Sequence, residues 1–238
     1  MKILAFDGTA KAASVAVTDG DAVLGYYTVD NGLTQSELLL PMAESLLSSL
    51  KLSFADVDLF ATSVGPGSFT GVRIGVSLIK GLAFGRDIPC AAVSTLEALA
   101  ENVAPLNGII VPCMDARRAQ VYSATFRSDG QDIKRLTDDR ALPLSLLAEE
   151  LKEYEGEPIY LCGDGYNVAQ HALCGYGIEL CKTPELLILE NAVSVAKVAK
   201  KQHENGQTVS DIELAPVYLR MPQAERERLE REATNKSE

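Results

Sequence analysis

Val64-Gly65-Pro66-Gly67-Ser68-Phe69-Thr70-Gly71-Val72-Arg73-Ile74-Gly75 lies between an apolar strand-like segment and an apolar helix. Glycine takes positive φ, proline presets its own φ, and Ser68 suits the N-cap of the helix that follows, so the turn presents backbone N–H groups at a positive dipole end. An anion bound by those groups and an ordinary tight strand-to-helix turn are both consistent with this pattern. No Gly-Lys-Ser/Thr follows and the spacing is not Gly-x-Gly-x-x-Gly, so the loop is neither a Walker loop nor a dinucleotide fingerprint.

Downstream, Phe69–Phe84 reads as a helix carrying Gly71, Gly75 and Gly81, with Gly85 just beyond. Glycines at this spacing cost helix propensity but allow close approach, either to the chain's own sheet or to another subunit. Upstream, Val57–Val64 reads as a strand. Thr34–Leu50 reads as a helix with apolar residues at Leu38, Leu39, Leu40, Met42, Ala43, Leu46, Leu47 and Leu50, a stripe wider than one buried face requires. Its spare side suits a partner, and Pro41 kinks it or marks its first turn.

The chain opens on three short strands, Ile3–Phe6, Ala13–Thr18 and Val23–Val29, separated by Asp/Gly turns. Cys90–Val93 follows as a strand, and Ser94-Thr95-Leu96-Glu97 is a capping box for a helix through Glu101. The second half repeats the theme. Its strands are Ile109–Cys113, Gln120–Phe126 and Ile159–Cys162, the last running into Gly163-Asp164-Gly165, and its helices are Leu144–Tyr154 and Val193–Asn205. Strands and helices alternate in both halves, predicting an α/β fold with internal duplication. The expected division is an N-terminal lobe of residues 1–104 joined by 207–221, a C-terminal lobe of 105–206, and a charged, flexible or frayed-helical tail, 222–238.

The net charge of −11 opposes direct binding of nucleic acid, which needs lysines and arginines to neutralise phosphates. No apolar run approaches bilayer-spanning length and the N-terminus carries no export signal, so a cytoplasmic protein is expected. Five scattered cysteines without a Cys-x-x-Cys pair argue for free thiols rather than disulfides or zinc. His171 and His203, the only histidines, lack companions at metal-ligand spacing.

Taken together, Ile3-Leu4-Ala5-Phe6-Asp7-Gly8-Thr9, Gln35-Ser36-Glu37-Leu38-Leu39-Leu40-Pro41, the Gly65–Gly75 loop, Met114-Asp115-Ala116-Arg117-Arg118 and Pro216-Val217-Tyr218-Leu219-Arg220 resemble the TsaB (YeaZ) family, in the family's order and across almost the whole chain. The resemblance implies a two-lobed fold of the actin, Hsp70 and sugar-kinase class, each lobe a mixed sheet with flanking helices. It implies a non-catalytic partner of the TsaD transferase in synthesis of N6-threonylcarbamoyladenosine beside the anticodon of tRNAs that read codons beginning with A. The ATPase TsaE would join the pair, the isolated chain would form a homodimer, and tRNA would be met only through the complex. The His-x-x-x-His motif that holds a metal in TsaD-type paralogues is missing, and Gln35 stands where many TsaB-like chains carry one His.

On this basis the candidate partner interface is the helix pair 34–50 and 69–84, with Leu39, Met42, Leu46, Arg73, Val76 and Lys80. Candidate nucleotide contacts are Asp7, Thr9, Ser68, Asp115 and Arg117, although Asp7 with Thr9 equally suits a self-bonded turn, and Asp115 with Arg117 a local ion pair. No catalytic residue and no metal ligand is expected, nor any cofactor in the isolated chain, with ATP or ADP admitted at the interface of the complex. The alternatives from other classes are a metal-dependent glycoprotease-like peptidase and a small-molecule kinase of the same fold class.

Overall fold

A computed structural model describes residues 1–117 and 119–220. In the first half these form β1 (Lys2–Asp7), β2 (Ala13–Asp19), β3 (Ala22–Val29), α1 (Gln35–Ser49), β4 (Leu59–Gly65), α2 (Phe69–Ala83), β5 (Cys90–Ser94) and α3 (Thr95–Val103). The second half contributes β6 (Gly108–Asp115), β7 (Gln120–Ser123), β8 (Phe126–Ser128), β9 (Ile133–Arg135), β10 (Arg140–Pro143), α4 (Leu144–Leu151), β11 (Ile159–Cys162), α5 (Tyr166–Gly175) and α6 (Ala192–Glu204).

The first sheet runs β3-β2-β1-β4-β5, with β1, β4 and β5 parallel and the meander β1-β2-β3 antiparallel. Its central strands are apolar on both faces because helices cover both. Leu4, Phe6, Val15 and Phe60 pack against α1 and α2, while Ile3, Ala5, Leu59, Ala61 and Val93 pack against α6. The span 105–206 assigned α6 to the C-terminal lobe; its Ala192, Val195, Ala196 and Ala199 face the first sheet instead. A run of small side chains lets the helix lie close on the sheet, a property of the packed pair that periodicity cannot assign to one half or the other.

In the second sheet, β6 pairs in parallel with β11 and antiparallel with both β7 and β8. The two share one register on β6, Cys113 opposite Ser123 and Gly108 opposite Ser128, so the predicted strand Gln120–Phe126 is a single line interrupted at residues 124–125. The interruption falls opposite Pro112. Ile109 N–H points to Pro158 on the β11 side, so strand alternation turns the nitrogen of residue 112 toward β7 and β8, where proline has no proton to give. β10 and β9 continue outward from β7 and β8.

The two halves therefore have one topology: β1-β2-β3-α1-β4-α2 is matched by β6, β7/β8, β9/β10, α4, β11 and α5. This duplicated mixed sheet is the architecture of the actin, Hsp70 and sugar-kinase class. Each half has its own core, the second built on Ile109, Val111, Val121, Leu147, Leu161 and Leu173, and α3 closes the seam with Leu96 and Leu99 against Ile110 and Phe126. Residues 207–220 return to the first half: Val209 bridges Cys90, and Leu214 is buried. The charged segment 222–238 lies outside the described residues.

Candidate functional site

Between the two halves lies a cleft of about 540 Å³, lined by Thr9–Lys11, Pro66–Thr70, Met114–Arg117, Tyr122, Asp164 and Val217–Arg220. The glycine-rich loop forms one wall. Ser68 Oγ accepts the Gly71 N–H at 3.2 Å as the N-cap of α2, and Ser68 N–H donates to Thr9 O at 2.7 Å, so the hydroxyl is spent on the helix and the loop is tied to the turn after β1. The glycines divide by position. A Cβ at Gly71 would collide with the Gly8 carbonyl and one at Gly75 would stand 2.7 Å from Thr62 Oγ1, whereas Gly81 and Gly85 face open space. The first pair packs on the chain's own sheet; the second is free of it.

Asp7 is fully buried. Its Oδ1 accepts the Thr9 N–H at 2.9 Å and the Thr9 hydroxyl at 2.8 Å, and its Oδ2 accepts Ser63 Oγ at 2.5 Å. Burial raises its pKa and these hydrogen bonds oppose the rise. Asp7 and Thr9 are thus satisfied by one another and by Ser63, as the turn alternative requires. Gln35 Nε2 donates to Ala10 O at 2.7 Å, so the amide pins α1 to the same turn.

On the opposite wall, Asp115 N–H donates to Asp164 Oδ1 at 2.9 Å and Asp115 Oδ1 accepts the Arg117 N–H at 2.7 Å. The expected side-chain ion pair is replaced by a contact to the Arg117 backbone, which sits at φ 61°. Of the candidate nucleotide contacts, Thr9, Ser68, Asp115 and Arg117 line the cleft; Asp7 lies beneath it.

The interface candidates fare differently. Leu39, Met42, Leu46 and Val76 are buried in the core under the first sheet and cannot meet a partner. The apolar stripe does have a second side, but it consists of other residues: Leu40 and Pro41 on α1, then Gly81 and the strongly exposed Phe84 (79% exposed) at the end of α2, beside half-buried Ile74, Leu78 and Leu82. Arg73 and Lys80 serve the returning C-terminal segment. Arg73 Nε donates to Tyr218 OH at 2.8 Å with its guanidinium 4.0 Å above the Phe69 ring, and Lys80 Nζ donates to Ile212 O and Leu214 O, each at 2.9 Å. Val217 N–H donates to Val64 O, and Arg220 crosses to the second half to reach Ala116 O at 2.9 Å.

The expected division places 207–221 with the first lobe but gives Pro216–Arg220 no role at the cleft. Its role as a strap over the cleft depends on contacts more than a hundred residues away in the chain, which local pattern does not carry. Tyr122, Asp164 and Glu190 were likewise passed over, the last because a single Glu between apolar segments looks like any surface carboxylate. Among the described residues no group of three or more His, Cys, Asp or Glu side chains is placed to hold a metal, and no helix is long and apolar enough to cross a membrane. His171 and His203 are both exposed.

Residues 34–157 match the model of the family described as "TsaD: tRNA N6-adenosine threonylcarbamoyltransferase". The tRNA threonylcarbamoyladenosine biosynthesis protein TsaB of Bacillus subtilis is 35% identical over 171 residues, 72% of this chain and 73% of the relative. TsaB of Escherichia coli is 31% identical over 223 residues, 92% and 95% of the two chains. Among solved structures, YeaZ from Pseudomonas aeruginosa superposes with a TM-score of 0.76 at 25% identity, over 92% of this chain and 99% of that one.

Proposed function

This chain belongs to the TsaB family, and from that premise we propose that it acts in N6-threonylcarbamoyladenosine synthesis on tRNA as the non-catalytic partner of a TsaD-type transferase. The observation that carries the non-catalytic part is the state of Asp7 beneath the cleft: its carboxyl is consumed by Thr9 and Ser63. A catalytic cleft needs a nucleophile with its base, clustered carboxylates aimed at a ligand, or a metal set.

The partner surface is the outer side of α1 and α2. Leu40, Leu78, Gly81 and Phe84 supply apolar area and close approach, and the matching helix pair of a paralogue would complete a four-helix contact. In the absence of that partner the same surface pairs with a second copy, giving a homodimer. A TsaE-type ATPase joins the pair, ATP or ADP is bound at the interface of the complex, and tRNA is met through the other subunits because this chain carries a net charge of −11. The soluble, cytoplasmic setting follows from that role.

The test is light-scattering mass of the chain alone and mixed with its TsaD, followed by threonylcarbamoyl transfer to tRNA with and without it. A homodimer that converts to a heterodimer, with transfer dependent on its addition, supports the proposal. A chain that stays alone and leaves transfer unchanged overturns it, and phosphoryl transfer by the isolated chain would establish the kinase alternative in its place.

A further inference from the structure

Glu190 is 3% exposed, and neither of its carboxylate oxygens has a well-formed hydrogen bond among the described residues. Only the backbone N–H groups of Glu190 itself and of Asp164 lean toward it. A buried carboxylate left this way costs far more than a surface one, so its position calls for a physical reason.

Its place in the fold supplies one. Glu190 sits on the short segment by which the chain leaves the second half and enters α6 on the first sheet. On one side Gly163 N–H, after β11, holds Ile188 O at 2.5 Å. On the other, Ala192 N–H donates to Ser14 Oγ of β2 at 3.0 Å. Asn102 of α3 steadies the approach through Leu187 O and Leu189 O, at 3.0 and 3.2 Å. The segment is pinned to each half at either end, with Glu190 between the pins.

The carboxyls that act on it come from both halves: Asp7 at the end of β1 and Asp164 after β11. The Cys162 thiol on β11 feels Glu190, and Lys11 acts on Asp164. Like charges and burial both favour the neutral acid.

We propose that Glu190 is a proton-operated latch on the hinge between the two halves: neutral, it lets them close as seen here, and ionised, it sets a buried negative charge between the carboxyls of Asp7 and Asp164 and opens the cleft. Burial and the two carboxylates push its pKa up to about 8, so the drive to open grows as pH rises from about 4.5 and is complete by about 8. The inference concerns the chain by itself and does not depend on its partner.

Fluorescent unnatural amino acids at Ser45 on α1 and Glu149 on α4, one exposed position per half, report the opening by energy transfer. In the wild-type chain the distance should lengthen as pH rises from about 4.5 and level off by about 8. Glu190→Gln, which has the shape of the neutral acid, should stay closed throughout. Asp164→Asn keeps the acceptor for Asp115 N–H but removes one like charge, which narrows the gap between the closed and open pKa of Glu190 and should lessen the opening at high pH. A wild-type distance that does not change with pH overturns the proposal, as does a transition that survives in Glu190→Gln or an opening at high pH that Asp164→Asn does not lessen.

Discussion

Asp7, Gly71 and Glu190 show three ways in which one residue is committed by its surroundings. Asp7 is held in the interior by three hydrogen bonds from Thr9 and Ser63. Gly71 leaves room for the Gly8 carbonyl, so Gly71→Ala should lower the unfolding free energy by at least about 2 kcal/mol. Gly81→Ala, in open space, should raise it by about 0.5 to 1 kcal/mol. Urea titration of the two variants checks the contrast, and equal effects would contradict it. Glu190 makes stability depend on pH. Its acid form persists in the folded state to about pH 8 against 4.5 as its ordinary value, so between those values the folded state holds a proton that the unfolded state has lost. Stability is therefore highest, as far as this group goes, below about pH 4.5 and falls as pH rises toward 8. Glu190→Gln should be nearly neutral near pH 4.5 and stabilising by on the order of 3 kcal/mol at pH 7; an advantage that does not grow with pH would remove Glu190 as its source.

At the level of elements, α1 and α2 each carry two apolar faces, and the structure separates them. Leu46→Asp places a charge in the core under the first sheet and should unfold the chain. Leu40→Asp and Phe84→Asp, on the outer faces, should leave its melting temperature within about 2 °C while weakening self-association and capture by the transferase at least tenfold in sedimentation experiments. Loss of the fold in the outer variants, or undiminished association, would refute the assignment of faces. The returning C-terminal segment is an element without regular structure, held by Lys80, Arg73 and the buried Leu214. Leu214→Ala should cost about 2 to 4 kcal/mol, a measurement accessible by thermal or urea unfolding.

On the scale of the whole molecule, the excess of acidic over basic residues governs the company the chain keeps. Filter binding at physiological salt should find tRNA bound by the isolated chain no more tightly than about 10⁻⁴ M, the weak end of non-specific association. Tight binding by the chain alone would locate a positive surface that net charge conceals. Much of the architecture was legible in the sequence because it depends on short-range chemistry. The apolar runs Ile3–Phe6 and Ala13–Thr18, the Ser94 capping box and the Gly65–Gly71 turn each need only near neighbours to declare a strand, a helix start or a turn, and the alternation of strands and helices in both halves pointed to the duplication. Four of the six interface candidates came out on the wrong side of their helices because a doubly apolar helix satisfies the 3.6-residue period with either face inward; only packing against the sheet selected Leu39, Met42, Leu46 and Val76 for the core. The residues of the cleft were named one by one in the sequence, but their occupation was not: whether Asp7 is offered to a ligand or consumed by Ser63, 56 positions away, depends on which strands lie side by side. The same holds for α6 on the first sheet, for the strap tied to α2, and for Glu190, whose burial between Asp7 and Asp164 arises only when the two halves close on each other. Sequence by itself determined which elements form and in what order, since backbone preference and periodicity are local; the tertiary structure decided which faces are spent inside, because burial and charge are properties of neighbours that the chain brings together only on folding.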